Sequence, residues 1–547
     1  PGTPDTAAAR QLPKEDLTRS QAMDLLMSTF ADAFDETGPV VPDMGQIKYI
    51  SNHAAVITEQ PQVHEETDAA KTRLLESTLP LRDENDSGDM APVNFRLQVD
   101  QDELQPANPY TDVALPLDLG DGISLAAPEV VIHLPGLPED RSPTVDEGTA
   151  FYPNVARDSD LALVAVPGGV ETFSQLRSRE APTHLAFELE LPDGAELRET
   201  DDGGAEVRTE SEALVRIPRP SAVDSAGQPV PVKLEVAGSR LTIEAEPTIA
   251  NQYPLLVDPL FEPYDLMGSQ NGTAAWRYVT SPGFAANWSA WGVRGLVMWS
   301  QSYSQVTPGN NAWWSYYVPR YFSDPEPPET YIRRMTFSGL ELTWSTGWPG
   351  TDPPHPYLAM GLWSDNKQQW AAVAVRTGTE GPLTDLSWVY SLDNPNEVTD
   401  VKSGSIHLAT QVANLPAQRN VHVRQATVEL GDKDVPEFAN MGNPSRWVND
   451  QATANFTYKV SDNGLGVSLV RTWQPTTNTG GGIVDTSSGC VGTVLSPCPL
   501  TLTNVTKKLA YNPSTMPQGE NWLSATAYDP VLHQSEPLVG RVKVDHS

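Results

Sequence analysis

The sequence has few cysteines, no long apolar segment and a shortage of basic residues, and each of these absences narrows the classes of protein it can belong to. No uninterrupted apolar run of about 18 residues occurs, so no part of the chain is predicted to cross a membrane as a helix. Lys and Arg number 36 against 71 Asp and Glu, a formal net charge of −35 at pH 7. Because nucleic-acid binding depends on basic patches that neutralise phosphate, nucleic acid is excluded as a predicted partner.

The two cysteines, Cys490 and Cys498, are close in sequence, with no histidine between them. They cannot supply the four ligands of a structural zinc site, so no metal site is predicted here. A disulfide is the favoured interpretation, and a pair of free thiols is the alternative. A loop of this length would contribute roughly 2–3 kcal/mol by restricting the unfolded chain. Because disulfides persist in oxidising compartments, the pair predicts a secreted protein.

One short amphipathic helix is predicted in a chain that is otherwise rich in helix-breaking residues, with 49 Pro and 39 Gly. It covers residues 14–36, where apolar residues recur at helical spacing. Thr18 and Gln21 have the spacing of a capping box, and Gly38 stands where a glycine would end the helix. The apolar face is expected to pack on the neighbouring domain, with a separate partner as the alternative.

Beyond the helix the apolar pattern changes to a period of two, as in residues 93–99. This is the period of a strand with one buried face. Asp193-Gly194 and Gly238 can supply the positive φ angles of tight turns, so a hairpin is predicted at each place. Strands without intervening helices favour antiparallel sandwiches. The predicted fold class is therefore all-β, a string of antiparallel β-sandwich domains.

Tryptophan usage divides the chain further. All 14 Trp lie at or after Trp276, and 11 of them lie between Trp276 and Trp388, so a domain boundary is predicted near 260–270. About 110 residues of short strands at the end of the chain suit an Ig-like sandwich. Four segments are predicted: 1–66, helical and extended; 67–260, one or more β-sandwiches with a break near 136–150; 261–433, a Trp-rich jelly-roll-like sandwich; and 434–547, an Ig-like sandwich with the cysteines.

The acidic run 83–89 is similar to the start of a calcium-binding loop. An EF-hand loop needs a bidentate Glu at its twelfth position, and counting from Asp83 this position is Asn94. The run is therefore predicted to be a solvated turn. The acidic composition is compatible with calcium binding, but no calcium-binding motif is present, and no cofactor is predicted.

Aromatic residues of the Trp-rich segment are the candidate ligand-binding residues. Neighbouring side chains in a strand face opposite sides, so one of Trp313 and Trp314 is expected to point outward. An outward ring beside loops could grip a sugar or a protein surface. The alternative is that the rings fill the sandwich core. The candidates are Trp313, Trp314, Tyr316, Tyr317, Trp344 and Trp348.

No catalytic residues are predicted. The sequence has no Gly-x-Ser-x-Gly elbow and no P-loop, and its nine His form no cluster along the chain. A pair of carboxylates beside a sugar cleft would instead make the Trp-rich segment a carbohydrate-active enzyme, which is one alternative function. The acids that could form such a pair are Glu329, Glu341, Asp365 and Asp385.

Several stretches resemble the N-terminal segments of actinobacterial-type Rhs/YD-repeat proteins, large wall-associated and polymorphic-toxin proteins of bacteria. Each stretch is short, but their order spans nearly the whole chain and is more specific than any one of them. No YD repeat, Rhs core or toxin domain occurs in the sequence. The stretches are 77–82 with 91–94 and 106–109, then 152–161, 253–259, and the terminal module with 462–467, its Cys pair and 542–546.

The resemblance implies a non-catalytic N-terminal region of a secreted Rhs-like surface or toxin-delivery protein at the bacterial cell surface. Its role would be presentation, adhesion, or binding of a glycan or a cell-surface protein. A downstream Rhs repeat region of the same polypeptide, which forms a cocoon in that family, is the further partner that the resemblance implies. A purely structural spacer or cap for that cocoon is the other alternative function.

Overall fold

The computed structural model confirms the all-β class, since most described residues lie in antiparallel strands and one α-helix lies near the N-terminus. No helix in the described part of the chain is long and apolar enough to cross a membrane. The structure describes residues 17–30, 34, 45–59, 72–85, 87–126, 129–139, 141–200, 203–263, 276–280, 284–290, 293–300, 311–319, 330–344, 357–364, 369–377, 383–391, 401–409, 419–442, 447–448, 454–474, 482–490, 492–493, 496–503, 509–511, 514 and 516–547.

The helix α1 (Arg19–Thr29) begins with the predicted capping box. Thr18 Oγ1 accepts a hydrogen bond from the backbone N–H of Gln21, and the Gln21 side chain accepts one from the backbone N–H of Thr18. The helix ends at Thr29, earlier than predicted, because Phe30 leaves the helical conformation with φ −128° and ψ 40°. Gly38, the predicted end, lies outside the described residues.

The apolar side of α1 packs on the neighbouring sandwich, as expected. Ala22 and Leu26 are buried in one cluster with sandwich residues that include Phe173. The rings of Phe34 and Phe173 have their centroids 5.2 Å apart. The side chain of Asn154 donates a hydrogen bond to the carbonyl of Leu17 at 2.8 Å. These contacts hold α1 on the first sandwich.

The described strands fall into four groups along the chain. Three precede residue 80: β1 (Gly45–Ser51), β2 (Ala54–Glu59) and β3 (Thr72–Ser77). The next group is β4 (Arg82–Glu84), β5 (Met90–Pro92), β6 (Asn94–Asp100), β7 (Glu103–Asn108), β8 (Val113–Pro116), β9 (Ile123–Leu125), β10 (Val130–His133), β11 (Thr144–Asp146), β12 (Thr149–Ala156), β13 (Ser159–Val166), β14 (Gly169–Leu176), β15 (His184–Glu190), β16 (Glu196–Glu199), β17 (Ala205–Arg208), β18 (Ala213–Ile217), β19 (Ser221–Asp224), β20 (Val232–Ala237), β21 (Arg240–Ala245), β22 (Leu255–Asp258) and β23 (Leu260–Pro263).

The remaining two groups follow residue 275. One is β24 (Trp276–Thr280), β25 (Phe284–Ala290), β26 (Val293–Ser300), β27 (Asn311–Tyr317), β28 (Tyr331–Trp344), β29 (Tyr357–Ser364), β30 (Gln369–Thr377), β31 (Leu383–Ser391), β32 (Val401–Ala409) and β33 (Arg419–Gly431). The other is β34 (Glu437–Gly442), β35 (Trp447–Val448), β36 (Ala454–Ser461), β37 (Leu469–Gln474), β38 (Gly482–Ser487), β39 (Thr501–Thr503), β40 (Leu509–Tyr511), β41 (Gly519–Tyr528) and β42 (Leu538–Val544). The first of these groups belongs to the Trp-rich sandwich, and the second forms the terminal module; both are described below.

The first sandwich contains β6 to β23. One sheet has the order β20-β21-β15-β10-β9-β8-β7-β6, and the other has the order β11-β12-β13-β14-β23-β18-β17-β16 with β19 and β22 beside β14. A single apolar core with members from Val93 to Phe261 includes residues of both sheets. This core continues across 136–150, where the sequence allows a break.

The two predicted hairpins have different outcomes. Gly238, at φ +67°, joins β20 to β21, whose residues pair along their full length, so this hairpin is confirmed. Gly194, at φ +79°, also makes a turn, but β15 pairs with β10 and β21 while β16 pairs with β17. The hairpin predicted at Asp193-Gly194 is therefore wrong. Both edges of β15 already have partner strands, and the turn leads the chain to the opposite sheet.

A buried ion pair holds the stretch 152–161 in place. Arg177 Nη1 donates to both carboxylate oxygens of Asp160, at 2.6 and 2.8 Å. Asp160 also accepts the backbone N–H of Asn154 at 2.8 Å. Asn154 has a left-handed φ of +54°, a conformation that Asn tolerates better than most residues. The polar residues of this stretch thus position the side chain that contacts the start of α1.

One sheet of the Trp-rich sandwich includes the N-terminal strands β1, β2 and β3. One sheet has the order β1-β2-β3-β33-β26-β25 with β28 and β31, and the other has the order β24-β27-β32-β29-β30. β3 pairs with β33 from Leu74↔Leu430 to Ser77↔Thr427, and Leu74 joins the apolar core of this sandwich. Strands before and after residue 66 therefore lie in one sheet with β25, β26, β28, β31 and β33. The predicted domain boundaries stay predictions.

The terminal module, residues 434–547, is a smaller pair of sheets. One sheet has the order β34-β36-β39 with β40, and the other has the order β35-β42-β41-β37-β38. The module has its own apolar core, which includes Val460, Ala525 and Val542. Cys490 and Cys498 form the predicted disulfide.

Candidate functional site

Two of the predicted ligand-binding aromatics lie in the core of the Trp-rich sandwich. Trp314 and Tyr316 are buried there beside Trp276, whose ring centroid is 5.6 Å from that of Tyr316. The Tyr316 hydroxyl donates to Glu76 Oε1 at 3.1 Å, so its polar atom is satisfied inside the protein. These two rings present no surface to a ligand. Their assignment as binding residues is corrected to a structural role, because β27 turns both toward the opposite sheet.

The other predicted aromatics are placed only in part. Tyr317 is half-buried at the end of β27. The backbones of Trp313 and Trp344 lie in β27 and β28, where Trp313 pairs with His407 and Trp344 with Arg419. The side chains of these two tryptophans, and all of Trp348, lie outside the described residues. For Trp313, Trp344 and Trp348 the binding role stays a prediction.

The carboxylate pair considered for an enzyme falls where the structure gives no side chains. Glu329 and Asp365 lie outside the described residues, and Glu341 and Asp385 are described in their backbone only. Both backbones lie in one sheet, Glu341 in β28 and Asp385 in β31. The enzyme alternative therefore stays untested at its proposed residues.

Exposed aromatic and basic residues gather on one side of the terminal module. Directly opposite residues of neighbouring strands share a face of the sheet. Trp522 lies opposite Arg541, and Lys543 lies opposite both Glu520 and Trp447. Six exposed residues define this aromatic face: Trp447, Lys543, Arg541, Trp522, Trp473 and Arg471.

The three tryptophans run diagonally across the aromatic face. Trp447 lies on β35 and Trp522 on β41, two strands away with β42 between them. Neighbouring strands are about 4.8 Å apart and Trp447 is level with Glu520, two residues before Trp522, so the two tryptophans are separated by roughly 12 Å. Trp473 on β37 pairs with Ser524, which makes it a diagonal neighbour of Trp522 at about 7–8 Å. Exposed flat rings therefore extend over most of the width of the sheet.

The cations of the aromatic face stack on its rings. Arg541 Cζ lies 4.9 Å from the ring centroid of Trp522, and Lys543 Nζ lies 5.8 Å from that of Trp447. Glu520 forms an ion pair with Arg541 at 3.0 Å. Such cation–π contacts help to hold the rings in place and stabilise by about 0.5–1 kcal/mol each at exposed sites. Among its described side chains the face has more positive than negative charge, in contrast to the chain as a whole.

A cluster of acids lies where the terminal module meets the Trp-rich sandwich. Asp432 follows β33, Asp462 follows β36 and Asp529 follows β41. All three are buried, and one carboxylate oxygen of each lies within 4.8 Å of the other two. We call these three residues the acidic cluster. Carboxylate oxygens are the ligands that hard divalent cations prefer, so the acidic cluster is a candidate metal centre.

The acidic cluster holds more negative than positive charge. Burial raises the pKa of each of its three carboxyls to about 6. His533 is the one cation in contact with the cluster among the described residues, with Nδ1 3.0 Å from Asp529 Oδ2. This contact raises the pKa of His533 to about 9. Nδ1 also lies 3.2 Å from the carbonyl oxygen of Asp434, which can only accept, so Nδ1 carries its proton.

The sequence gives little sign of either site. The tryptophans of the aromatic face are spread from residue 447 to 522, and only the pairing register brings them together. The acids of the cluster come from three chain segments that meet only in the fold. The one local signal is the alternation in β41, where the exposed Glu520 and Trp522 alternate with buried residues.

Comparison with known proteins does not identify a family for this chain. No protein-family profile matches the chain, and no curated protein matches it. The resemblance to Rhs/YD-repeat proteins therefore stays a prediction. The function has to be argued from the two sites themselves.

Proposed function

We propose that this chain is a non-catalytic presentation and adhesion region of a secreted bacterial surface protein similar to the Rhs/YD-repeat proteins. In this proposal the sandwiches form a stalk, and the aromatic face binds an anionic polysaccharide. The disulfide supports an oxidising location outside the cytoplasm. The observation that carries the proposal is the aromatic face, with three exposed tryptophans on one sheet.

The exposed rings support a sugar ligand. Trp447 and Trp522 are each more than half exposed, at 57% and 53%, and soluble proteins seldom leave several large rings on one face without a partner. A flat ring offers apolar area to the carbon face of a sugar, while the indole N–H stays free to bond its hydroxyls. The diagonal of rings suits an extended chain of sugars better than a single one.

The charge of the aromatic face favours an acidic polymer. Arg471, Arg541 and Lys543 lie on it, whereas the chain has a net charge of −35. An anionic polymer would be repelled by most of the surface and attracted to this region, which gives both orientation and selectivity. A neutral polysaccharide would gain the ring contacts but no electrostatic attraction.

The test is a binding measurement on the full chain with a uronic-acid polysaccharide, with the neutral polymer of similar linkage for comparison. We expect Trp522→Ala to weaken binding of the acidic polymer about tenfold, since an aromatic side chain that a ligand covers at the centre of its site is a typical hot spot. We expect Lys543→Gln to weaken it less and to reduce its dependence on salt. Isothermal titration at two salt concentrations measures both effects.

Ile249→Ala is the matched control, since this side chain is 87% exposed on the first sandwich, away from the aromatic face. It should leave binding unchanged. Equal losses in Ile249→Ala and Trp522→Ala would contradict a dedicated site. No binding of any acidic glycan would favour the structural spacer, and products released from a glycan would favour the enzyme.

A further inference from the structure

The acidic cluster raises an electrostatic problem that the described residues do not solve. Three carboxylates lie together at 8%, 1% and 0% exposure for Asp432, Asp462 and Asp529. A buried charge is tolerated when it is paired, as Asp160 is paired with Arg177 in the first sandwich. In the cluster a single histidine, His533, faces three acids, and it contacts only Asp529. A further positive charge would balance the site.

Two buried carboxylate oxygens of the cluster accept no hydrogen bond, Asp462 Oδ2 and Asp529 Oδ2, and only the second has a cation beside it, His533 Nδ1 at 3.0 Å. Asp462 Oδ1 accepts the backbone N–H groups of Gly464 and Gly466, at 2.9 and 2.8 Å. Oδ2 of the same carboxylate is buried and accepts no hydrogen bond. Buried carboxylate oxygens in folded proteins nearly always have a donor or a cation. The loop thus anchors one oxygen of Asp462 and leaves the other for a ligand.

The other two carboxylates are held in place by backbone N–H donors. Asp432 accepts the backbone N–H groups of Asp434 at 3.0 Å and Leu465 at 2.5 Å. Asp529 Oδ1 accepts the backbone N–H of His533 at 2.7 Å. Backbone donors that hold carboxylates in place are the usual support of a metal site. The cluster is therefore preorganised by backbone groups of three separate loops.

Close packing requires glycine beside the cluster. A Cβ at residue 464 would lie 1.8 Å from Asp432 Oδ1, so the loop after Asp462 can approach Asp432 only with Gly464 in that position. A Cβ at Gly466, which has φ +85°, would lie 2.7 Å from the carbonyl oxygen of Cys498. The loop that carries Asp462 is thus fitted between Asp432 and the disulfide.

The ligand set fits calcium. Oxygens bound to one Ca²⁺ lie 2.3–2.6 Å from it, so two of them are separated by about 5 Å at most. One oxygen of each carboxylate in the acidic cluster lies within 4.8 Å of the corresponding oxygens of the other two. Three carboxylates can supply up to six oxygens, in the range that Ca²⁺ takes, whereas Mg²⁺ demands a tighter octahedron. Zinc is disfavoured because it prefers sulfur and imidazole nitrogen, and His533 Nδ1 carries a proton.

The cluster also joins two parts of the molecule. Asp432 directly follows β33 of the Trp-rich sandwich, whereas Asp462 and Asp529 belong to the terminal module. Leu465 and Val531, which follow those two acids, are buried in the core of the Trp-rich sandwich. An ion shared by the three acids would tie the module to the sandwich at the point where these side chains insert.

We propose that Asp432, Asp462 and Asp529 form a Ca²⁺ site that fastens the terminal module to the Trp-rich sandwich. This site is separate from the aromatic face and does not depend on glycan binding. It makes the joint between the two parts dependent on calcium. Chelation should loosen the module without unfolding the first sandwich.

The experiment measures calcium bound to the full chain at 150 mM NaCl, which screens weak binding to the acidic surface. Equilibrium dialysis with radioactive calcium should show one strongly bound ion per chain. Added Ca²⁺ should raise the melting temperature in a saturable way, because it binds the folded state only, and Mg²⁺ should raise it less. Absence of a strongly bound ion, or equal stabilisation by Mg²⁺, would overturn the proposal.

Asp462→Asn is the decisive variant. Its side-chain oxygen can still accept the N–H groups of Gly464 and Gly466, while the amide replaces the oxygen without a partner. We expect calcium affinity to fall at least tenfold. Without calcium the variant should melt at the same temperature as the original chain or higher, because one repelling charge is removed.

Asp193→Asn, at an exposed turn, is the control for the loss of one negative charge. It should bind calcium like the original chain. Unchanged calcium binding in Asp462→Asn would refute the site. A lower melting temperature of Asp462→Asn in chelator would indicate a purely structural carboxylate, and would likewise count against the proposal.

Discussion

The Trp-rich sandwich buries its described tryptophans between its two sheets, whereas the terminal module exposes three tryptophans on one face of a sheet. In the sandwich, Trp314 and Tyr316 are buried between two sheets, whereas Trp447, Trp473 and Trp522 of the module are exposed. The richest aromatic segment of the sequence therefore uses its described rings for packing. Among the described side chains, the exposed tryptophans belong to the terminal module, which has three, so aromatic content alone does not locate a binding surface.

The two regions also differ in the direction in which they shift the pKa of a histidine. Burial in the Trp-rich sandwich lowers the pKa of His407 to about 4. At the acidic cluster, the contact with Asp529 raises the pKa of His533 to about 9. Burial disfavours the charged form of His407, whereas the neighbouring carboxylate favours the charged form of His533. Each contrast can be tested by substitution, of a tryptophan in the first case and of a histidine in the second.

The largest expected effect separates the two kinds of tryptophan. Trp314→Ala should lower the free energy of unfolding by about 3–5 kcal/mol, since it leaves a cavity in the core. Trp522→Ala should lower it by less than about 1 kcal/mol, because the ring is exposed. Urea denaturation followed by circular dichroism measures both. Similar losses in the two variants would mean that the aromatic face is a packing surface, and would remove the basis of the proposed function.

Much of the fold follows from local signals in the sequence. The capping box of Thr18 and Gln21, the turn at Gly238 and the Cys490–Cys498 pair each depend on residues that are close in sequence. Period-two alternation gives the all-β class because it reports which strand face is buried. Signals of this kind act within one element or between two neighbours, so they survive without knowledge of the fold.

The rest depends on pairing between distant strands. Nothing local shows that β3 pairs with β33, or that β15 has both edges occupied and cannot form a hairpin with β16. The acidic cluster requires three loops to meet, and Asp432 and Asp529 are almost a hundred residues apart. A lone Asp after a strand is a common surface residue, so its sequence carries no sign of burial or of a missing partner.

A smaller effect is expected from removal of the disulfide, which stabilises the terminal module in addition to its small apolar core. Its core has fewer large side chains than that of the Trp-rich sandwich. Replacing Cys490 and Cys498 by Ser should therefore destabilise the module by roughly 2–3 kcal/mol. Hydrogen exchange should show faster exchange in β36 to β42, and unchanged exchange in β27 and β32. Equal changes in both regions would indicate that the two unfold as one unit.

The same substitution should also act on calcium. The N–H of Asp462 donates to the carbonyl of Leu500 at 2.9 Å, and that of Val467 donates to the carbonyl of Pro499 at 2.9 Å. Both acceptors directly follow Cys498. Without the disulfide the loop that carries Asp462 loses this support, so calcium affinity should fall while the aromatic face keeps its ligand. A variant with reduced stability and full calcium affinity would separate the two roles.

The smallest expected effect concerns pH and the contrast between the histidines. His407 is neutral in the folded chain down to about pH 4, whereas in the unfolded chain it takes up a proton near its ordinary pKa of 6.5. The unfolded state therefore binds more protons between these values, and stability falls as the pH decreases from about 6.5 to 4. We expect a loss of about 2 kcal/mol from this group, less than the full shift because the ring is partly exposed.

Calcium-free denaturation curves at pH 7 and pH 4.5 measure this loss, and His407→Gln should reduce the difference between them. His184→Gln, at an exposed position of the first sandwich, is the control. In the folded chain the Ser405 hydroxyl and His407 Nε2 are 2.5 Å apart, and a glutamine can keep a polar contact there. If His407→Gln and the original chain lose the same stability in acid, burial of this ring does not set the response. The proposed contrast between a buried neutral His407 and a charged His533 would then lose this support.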